Sequence, residues 1–266
     1  MITDKLPTLK GLILDMDGVL WHDNEPIGDL PAIFNQIRAL GLKFVLATNN
    51  STKTIDEYLQ KLSGFGVLLE AWQIVTSAES TLDYLQETSP NADTLYIFGS
   101  NSLKESARQR GYNVLEDDDA TTKADFVLVG LDVNLTYNKI SNAAKKIREG
   151  ATFIATNTDA TFPAPQGLIP GAGTMVTAVQ TASGTKPTTI GKPEPYLYRS
   201  AIKVMNLEPK AVLCVGDRLD TDILGAQNAG FQSALVLSGV STLEDLDRWN
   251  PKPNLVASDL TALIYD

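Results

Sequence analysis

The chain has 266 residues, of which 43% are hydrophobic and 20% are charged, which is typical of a globular protein with one large or two modest domains. Its net charge of −10 disfavours nucleic acid as a partner, so we expect a small-molecule substrate. No apolar run approaches the roughly 18 residues of a membrane-spanning helix. Since the first residues also lack a secretory pattern, we expect no membrane association and a cytoplasmic location.

The cysteine and histidine content limits the metal chemistry. Because Cys214 is the only cysteine and His22 the only histidine, neither an internal disulfide nor a zinc site of Cys and His ligands can form. Any metal must therefore be bound by oxygen. Cys214 lies within an apolar run and is expected to be a buried thiol, whereas His22 is expected in a solvated loop.

The chain alternates between two kinds of apolar pattern. Short continuous runs predict buried parallel strands at 11–16, 43–47, 94–98, 125–129, 152–155 and 211–215. Between them, apolar residues at helical spacing predict helices around 33–40, 55–62 and 140–147. A glycine after each helix, Gly41, Gly64 and Gly150, is expected to end it in a left-handed conformation. The alternation predicts an α/β fold with a Rossmann-like, doubly wound parallel sheet.

Polar and acidic residues follow three of the predicted strands. Asp15 and Asp17 come where the first strand runs out, Thr48 and Asn49 come after the second, and Asp217 comes after the last. Ligands bind at the carboxyl ends of the strands in sheets of this kind. One site built from both ends of the chain would explain the pattern.

Each motif taken alone has a simpler explanation. An isolated Asp-x-Asp such as Asp15 and Asp17 is usually an Asx turn, and the residues from Thr48 onwards could simply cap a helix. Capping could also explain one acid in Gly216-Asp-Arg-Leu-Asp-Thr-Asp222, but that segment holds three acids in six positions. Like charges at this density indicate a cation. Lys192, between a glycine and a proline, is in a more ordered setting than a surface lysine.

Taken together and in this order, the motifs resemble those of the haloacid dehalogenase superfamily phosphatases. The matching segments are Asp15-Met-Asp17-Gly-Val, Thr48 with Asn49, Lys192, and Gly216-Asp217 with Asp222. Within the superfamily, Ala47-Thr-Asn-Asn-Ser-Thr and the segment after Gly216 resemble subfamily IIA, the NagD and p-nitrophenylphosphatase branch. The resemblance covers essentially the whole chain.

The motif spacing predicts two domains. Only 31 positions separate Asp17 from Thr48, but 144 separate Thr48 from Lys192, far more than one helix and one strand need. We therefore predict a catalytic core of residues 1–80 and 186–266 with an inserted α/β domain at 81–185. The resemblance implies that this insert is an αβ cap of the C2 type, and that a homodimer through the cap is a candidate assembly.

The resemblance implies Mg²⁺-dependent hydrolysis of a small-molecule phosphomonoester. Asp15 would be the nucleophile that forms an aspartyl phosphate, and Asp17 would protonate the leaving oxygen and then activate water. A phosphate dianion about 4 Å from one carboxylate is repelled by roughly 8 kcal/mol at an effective dielectric constant of about 20, so a divalent cation is required. The expected metal-binding residues are Asp15, Asp17 through its backbone carbonyl, Asp217 and Asp222.

Other groups are expected to bind the substrate. Thr48 and the amides of Asn49 and Asn50 would hold phosphate oxygens, and Lys192 would add a positive charge beside the phosphate and the nucleophile. In the insert, residues 157–163 resemble a substrate-specificity loop, in which Phe162 would either cover an apolar leaving group or pack against the core.

Two other functions stay open from the sequence. One is phosphotransfer to a sugar acceptor in place of water, and the other is a non-catalytic protein that binds a phosphorylated metabolite. The segment Gly171-Ala-Gly173 superficially resembles a dinucleotide fingerprint, but it lacks the third glycine and a clear preceding strand. We interpret it as the start of a helix.

Overall fold

A computed structural model describes residues 1–164 and 167–266 of the chain. The strands in these residues are β1 Gly11–Leu14, β2 Trp21–His22, β3 Glu25–Pro26, β4 Lys43–Thr48, β5 Ile74–Thr76, β6 Thr94–Phe98, β7 Asn113–Val114, β8 Phe126–Val129, β9 Thr152–Ala155, β10 Thr161–Ala164, β11 Gly167–Pro170, β12 Thr188–Thr189, β13 Val212–Gly216, β14 Gln232–Val236 and β15 Leu255–Ala257. The α-helices are α1 Ile2–Lys5, α2 Leu30–Ala39, α3 Ile55–Gly64, α4 Ser77–Thr88, α5 Asn101–Gln109, α6 Tyr137–Arg148, α7 Ala172–Ser183, α8 Tyr196–Met205, α9 Leu224–Asn228, α10 Leu243–Arg248 and α11 Leu260–Tyr265. Among the helices described, none combines the length and the apolar character needed to cross a membrane.

The first of two compact units contains Met1–Thr48, Ile55–Val75 and Lys192–Asp266. Its six-stranded sheet has the order β15-β14-β13-β1-β4-β5, in which β1 pairs in parallel with both β13 and β4. Counted along the chain, this order is 3-2-1-4-5-6, that of doubly wound dinucleotide-binding sheets. The predicted fold class is confirmed, and the order reverses between β1 and β13.

Both faces of this sheet are covered. Leu12 and Leu14 of β1 pack into one apolar cluster, whereas Ile13, which points to the other face, packs into a second cluster together with Cys214. Because each residue of β1 is buried, the strand reads as a continuous apolar run rather than an alternating one. Cys214 is a buried thiol, as predicted.

The second unit contains Asn49–Thr54 and Thr76–Gly191. Its sheet has the order β12-β9-β8-β6-β7, which is 2-1-3-4-5 along the chain and reverses between β6 and β8. The chain therefore passes between the units four times, and the inserted stretch runs from 76 to 191, whereas the motif spacing predicts 81 to 185. That this unit acts as a cap stays a prediction.

Two of the three predicted helix ends are confirmed. Gly41 and Gly150 follow α2 and α6 with φ values of +70° and +110°. Gly64 is instead the last residue of α3, and the left-handed position is Gly66 with φ +78°. The amide of Val67 bonds to the carbonyl of Leu62 across Gly66, which is the hydrogen bond that closes a Schellman motif. The prediction for Gly64 was wrong because a second glycine two residues later takes that role.

Candidate active site

Three carboxylates meet where the strand order of the first unit reverses. Asp15 directly follows β1, while Asp217 and Asp222 follow β13, and oxygens of all three lie within 4.8 Å of one another. The pairing of β1 with β13 continues through Asp15, whose amide donates to Val215 O at 2.9 Å. The carboxyl ends of paired parallel strands lie at the same edge of a sheet, which is how residues from opposite ends of the chain meet here.

Lys192 is the cation among these carboxylates. Its Nζ donates to Asp15 Oδ1 at 2.5 Å, to Asp222 Oδ1 at 2.6 Å and to Ala47 O at 3.1 Å. The Lys192 side chain is only 4% exposed. An ammonium so deeply buried is stable only with compensating charges of this kind. One lysine nevertheless faces three acids.

The pKa values reflect this excess of negative charge. Burial, followed by Asp222 as the next largest contribution, raises the pKa of Asp217 to about 7. Burial also raises the pKa of Asp15 well above its usual value; Lys192 opposes the shift, while Asp222 and Asp217 add to it. Burial would lower the pKa of Lys192, but Asp15 and Asp222 outweigh it and raise that pKa, so the lysine is protonated. The donor set is all oxygen and under-neutralised, so it fits a hard divalent cation.

Backbone segments hold Asp217 tightly. Asp217 Oδ2 accepts a hydrogen bond from the amide of Val240 at 2.7 Å, and Ser238 Oγ donates to Gly18 O at 2.7 Å. Gly18 has φ +82°, and a Cβ there would lie 2.6 Å from Asp217 Oδ2. The glycine after Asp17 therefore gives the turn and also leaves space for Asp217.

Asp222 uses both carboxylate oxygens within the protein. Oδ1 accepts from Lys192, and Oδ2 accepts from the amide of Arg218 at 3.1 Å. Tyr198 also donates its hydroxyl to Asp222 O at 2.8 Å. These contacts hold the lysine and the loop after β13 in place.

Asp17 is fixed by a residue that the sequence reasoning missed. Trp21 Nε1 donates to Asp17 Oδ1 at 2.8 Å, and the amide of Gly18 bonds to Trp21 O at the same distance. Lys61 Nζ lies over the Trp21 ring, 4.1 Å from its centroid. The only sequence signal was a tryptophan four residues after an acid in a turn-forming segment, which is too weak to indicate a hydrogen bond.

The predicted phosphate-binding residues Thr48, Asn49 and Asn50 begin the phosphate-binding segment, residues 48–54, which starts in the first unit. Thr48 ends β4 at the carboxyl edge of the sheet and is 3% exposed. Tyr58 is also buried in this unit. Burial, followed by the charge of Asp17, raises the pKa of Tyr58 well above its usual value. A hydrogen bond with the Thr48 side chain lowers this pKa but does not cancel the increase. The Tyr58 phenol is therefore neutral.

Asn49 and Asn50 belong to the second unit. The sequence left open that they cap a helix, but both residues lie well before α3, which begins only at Ile55. Asn50 Oδ1 accepts from Thr52 N at 2.8 Å and from Thr52 Oγ1 at 2.7 Å. This local turn competes with helical hydrogen bonding and delays the helix. Asn49 Nδ2 donates to Asp159 Oδ1 at 3.0 Å, a partner that the sequence did not indicate.

The structure also locates the other residues singled out from the sequence, Phe162, His22 and Gly171. Phe162 lies in the β10–β11 hairpin opposite Ile169 and packs, partly buried, against the apolar core of the second unit. His22 is exposed in β2, a short strand where a loop was expected. Gly171 is the N-cap of α7, which confirms the helix start. Asp15, Lys192, Asp217 and Asp222 are brought together in the first unit, while Phe162 is part of the second.

Comparison with known proteins identifies the family. Residues 12–113 match the model of the haloacid dehalogenase-like hydrolases, and residues 189–263 match a second model of HAD-hydrolase-like proteins. The acid sugar phosphatase of Staphylococcus saprophyticus is 35% identical over 257 residues, which cover 97% of each chain.

Solved structures agree along almost the whole chain. NagD from Escherichia coli K-12 has a TM-score of 0.85 and 32% identity, covering 95% of this chain and 97% of its own. A glycerol phosphate phosphatase from Mycobacterium tuberculosis, solved in complex with magnesium, has a TM-score of 0.88 and 32% identity, covering 97% and 77%. The chain belongs to the haloacid dehalogenase-like hydrolases, in their NagD-like branch.

Proposed function

We propose that the protein is a Mg²⁺-dependent hydrolase of small phosphomonoesters that works through an aspartyl phosphate on Asp15. The observation that carries the proposal is the cluster of Asp15, Asp217 and Asp222 around Lys192 at the switch point of a doubly wound sheet. Phosphatase names among its relatives support the reaction class. The enzyme is a phosphoric monoester hydrolase.

The oxygen donors around the cluster suit magnesium. Asp15 and Asp217, with the backbone carbonyl of Asp17, would hold the ion. When bound, Mg²⁺ neutralises charge on the phosphate and on the acids. Asp222 was also predicted as a metal-binding residue; since its oxygens already accept from Lys192 and Arg218, we assign it to holding the lysine.

Asp15 and Asp17 divide the chemistry. An Asp15 carboxylate oxygen attacks phosphorus, so an Asp15 O–P bond forms while the bond from phosphorus to the leaving oxygen breaks. Asp17 donates its proton to that oxygen and later takes a proton from the water that hydrolyses the aspartyl phosphate. The hydrogen bond from Trp21 fixes the orientation of Asp17 for both steps.

Lys192 and the segment after β4 bind the transferred group. The ammonium of Lys192 donates a hydrogen bond to Asp15, which supports its assignment to offsetting negative charge on the phosphoryl group. Thr48, with the backbone amides of Asn49 and Asn50 that follow it in the chain, is assigned to the non-bridging phosphate oxygens.

The phosphate and metal contacts are common to every phosphomonoester, so selection among leaving groups must come from other residues. We assign it to the second unit acting as a cap, with Phe162 as the first candidate. Pairing of two chains through this unit and a cytoplasmic location are parts of the same proposal. The substrate class is a small phosphorylated metabolite.

A panel of phosphomonoesters tests the function: p-nitrophenyl phosphate, phosphoglycolate, sugar phosphates and nucleotides, each with Mg²⁺ and with EDTA. We expect release of inorganic phosphate that stops with EDTA and returns with excess Mg²⁺, because the clustered carboxylates repel the substrate without a cation. Asp217→Asn should raise the Mg²⁺ concentration needed for half-maximal rate. Full turnover by a rigorously metal-free preparation would contradict the mechanism.

The same panel separates the other two functions. With added alcohols or sugars, a phosphotransferase would form new phosphate esters in place of inorganic phosphate. A non-catalytic protein would bind phosphorylated ligands in calorimetry without releasing phosphate. Hydrolysis with phosphate as the main product supports the proposal.

A further inference from the structure

We infer that Asp159 is a positioning residue for phosphate binding: it holds the side chain of Asn49 and thereby fixes the backbone of the phosphate-binding segment. The inference rests on the proposed function of that segment. It assigns to Asp159 a role separate from recognition of the leaving group.

Asn49 is held by three residues of its own unit. Its Nδ2 donates to Asp159 Oδ1 at 3.0 Å and to Asp159 Oδ2 at 3.3 Å. Its carbonyl oxygen accepts from Ser77 Oγ at 2.5 Å and from Asn157 Nδ2 at 2.8 Å. Asn49 is 7% exposed, and both its side chain and its backbone are therefore fixed.

The carboxylate at 159 also selects the orientation of the amide. An ionised carboxylate accepts hydrogen bonds and donates none, so only Nδ2 of Asn49 can face it. Oδ1 of Asn49 then lies against Gly191, where a Cβ would come within 2.6 Å of it. An amide or a hydroxyl at position 159 could pair with either end of the Asn49 side chain and would not impose this orientation.

The loop that carries Asp159 is itself rigid. Its amide donates to Asn157 Oδ1 at 3.1 Å, and its carbonyl accepts from the amide of Gly173 in the first turn of α7 at 2.9 Å. A Cβ at Gly171 would lie 2.3 Å from Asp159 O. The glycines of the Gly171-Ala-Gly173 segment thus allow α7 to pack directly against this loop, which accounts for a motif that catalysis does not use.

The rest of the segment is anchored at the switch point of the second unit. After β6, Ser100 Oγ donates to Ser51 O at 2.9 Å and Ser102 Oγ donates to Thr52 O at 2.9 Å. A Cβ at Gly130, which follows β8, would lie 3.1 Å from Ser51 Oγ. Doubly wound sheets bind their ligands at such a point, and here residues of the chain itself are bound there. The phosphate-binding segment therefore depends on the second unit for its conformation.

This arrangement predicts how Asp159 affects binding. If Asp159 fixes the Asn49 backbone, its loss weakens every ligand that uses that backbone, whatever its leaving group. If Asp159 instead contacted leaving groups, its loss would reorder the substrates and leave inorganic phosphate unaffected. Inorganic phosphate has no leaving group, so it is the probe that separates the two roles.

The test measures the Kd of inorganic phosphate by calorimetry with Mg²⁺ present, together with kcat and KM for the substrate panel. Asp159→Ala should weaken phosphate about 10-fold, from the loss of a hydrogen bond to a charged group, and raise KM by a similar factor for all substrates. Asp159→Asn keeps one acceptor oxygen and should lose less. In an Asn49→Ala background, Asp159→Ala should have no further effect.

Asp125→Asn is the matched control. Asp125 is in the same unit, at the opposite edge of the sheet, and its Oδ2 accepts from the amides of Asp93 and Thr94. Removal of this charge should leave phosphate affinity unchanged. Thermal denaturation identifies folded variants, and if Asp159→Ala does not fold, the isosteric Asp159→Asn decides the outcome.

An unchanged phosphate Kd in folded Asp159 variants would overturn the inference, as would an equal loss in the Asn49→Ala background. A change in substrate ranking alone would also overturn it. If the wild-type protein binds phosphate through this pair but hydrolyses no substrate, the inference stands and the proposed function fails. If the wild-type protein hydrolyses its substrates normally and Asp159→Ala does not change the Kd of phosphate, the proposed function stands and the inference fails.

Discussion

Asp15 and Asp17 are the same residue type two positions apart, yet they have different partners. Asp15 accepts from the buried ammonium of Lys192 at 2.5 Å, whereas Asp17 accepts from the neutral indole of Trp21 at 2.8 Å. The ammonium of Lys192 opposes the burial that raises the pKa of Asp15, and it thereby favours the ionised carboxylate that a nucleophile needs. The proposed general acid and base must face the leaving oxygen, and the indole of Trp21 holds the Asp17 side chain in one orientation.

This difference predicts separable effects of two matched substitutions. Asp15→Asn should abolish formation of the aspartyl phosphate. Asp17→Asn should still allow phosphorylation by p-nitrophenyl phosphate, whose leaving group needs no proton, while turnover falls about 10²- to 10⁴-fold. Rapid-quench measurement of the p-nitrophenolate burst and of labelled phosphoenzyme distinguishes them. Equal, near-normal rates in both variants would reject these roles.

Trp21 offers a test of how Asp17 is oriented. Trp21→Phe keeps an aromatic ring but removes the N–H donor, and a hydrogen bond to a charged group contributes about 1.5–3 kcal/mol. We expect kcat to fall about 10- to 150-fold with KM nearly unchanged, and more for poor leaving groups than for p-nitrophenyl phosphate. Trp72→Phe is the control, since Trp72 Nε1 bonds to Glu70. The same loss for every leaving group would show that the indole does not act through Asp17.

The sequence could indicate only those residues of the candidate site that directly follow strands. Asp15 and Asp217 were predicted because each comes directly after a continuous apolar run. Trp21 and Asp159 were missed because their partners are set by a turn and by a contact between residues 110 positions apart. Local composition carries no signal for a hydrogen bond of that kind.

At the level of elements, the continuous strands were predicted well and the hairpins were not. β6 and β9 have the predicted bounds, since a strand buried on both faces is a plain apolar run. The β10–β11 hairpin was expected only as a loop, because Thr161–Ala164 and Gly167–Pro170 contain prolines and a glycine, which are unfavourable in strands. Pairing of two edge segments with each other overrode that preference.

The hairpin is also where substrate selection is tested. Phe162→Ala should change the relative kcat/KM of aromatic and aliphatic phosphates by about 10- to 200-fold, which is the discrimination that one apolar contact supplies, and leave the Mg²⁺ requirement intact. The measurement is kcat/KM for each substrate of the panel, with the wild-type protein and with Phe162→Ala, at saturating Mg²⁺.

Ile140→Ala is the control for packing, because Ile140 is also half-buried against the core of the second unit. It should lower the temperature of unfolding without changing the ranking of substrates. If Phe162→Ala behaves in the same way, Phe162 packs against the core and does not select substrates.

At the level of the whole molecule, the two units are interleaved in the chain. The first unit is built from three stretches, and its central pairing joins Gly11 of β1 to Val212 of β13. The second unit needs only Asn49–Thr54 and Thr76–Gly191. The sequence indicated an insertion from motif spacing, but it could not indicate that residues 49–54 pack with the insert, because that depends on contacts with Ser100 and Ser102.

A chain that stops after Gly191 tests this separation. It contains all of the second unit but lacks β13, β14 and β15, so we expect limited proteolysis to spare residues 76–191 and to cut within 1–48. Mass spectrometry of the fragments gives the result. Equal digestion of both regions would show that the insert needs the completed first unit in order to fold.

The interleaving gives the units an order of appearance during protein synthesis. Every residue of the second unit emerges from the ribosome before β13 does, so the insert can fold while β1 still lacks one of its two neighbours. The pairing of β1 with β13 then brings Asp15 to Asp217 late in translation. The insert, with residues 49–54 docked, can therefore be folded in the nascent chain before Asp15 and Asp217 meet.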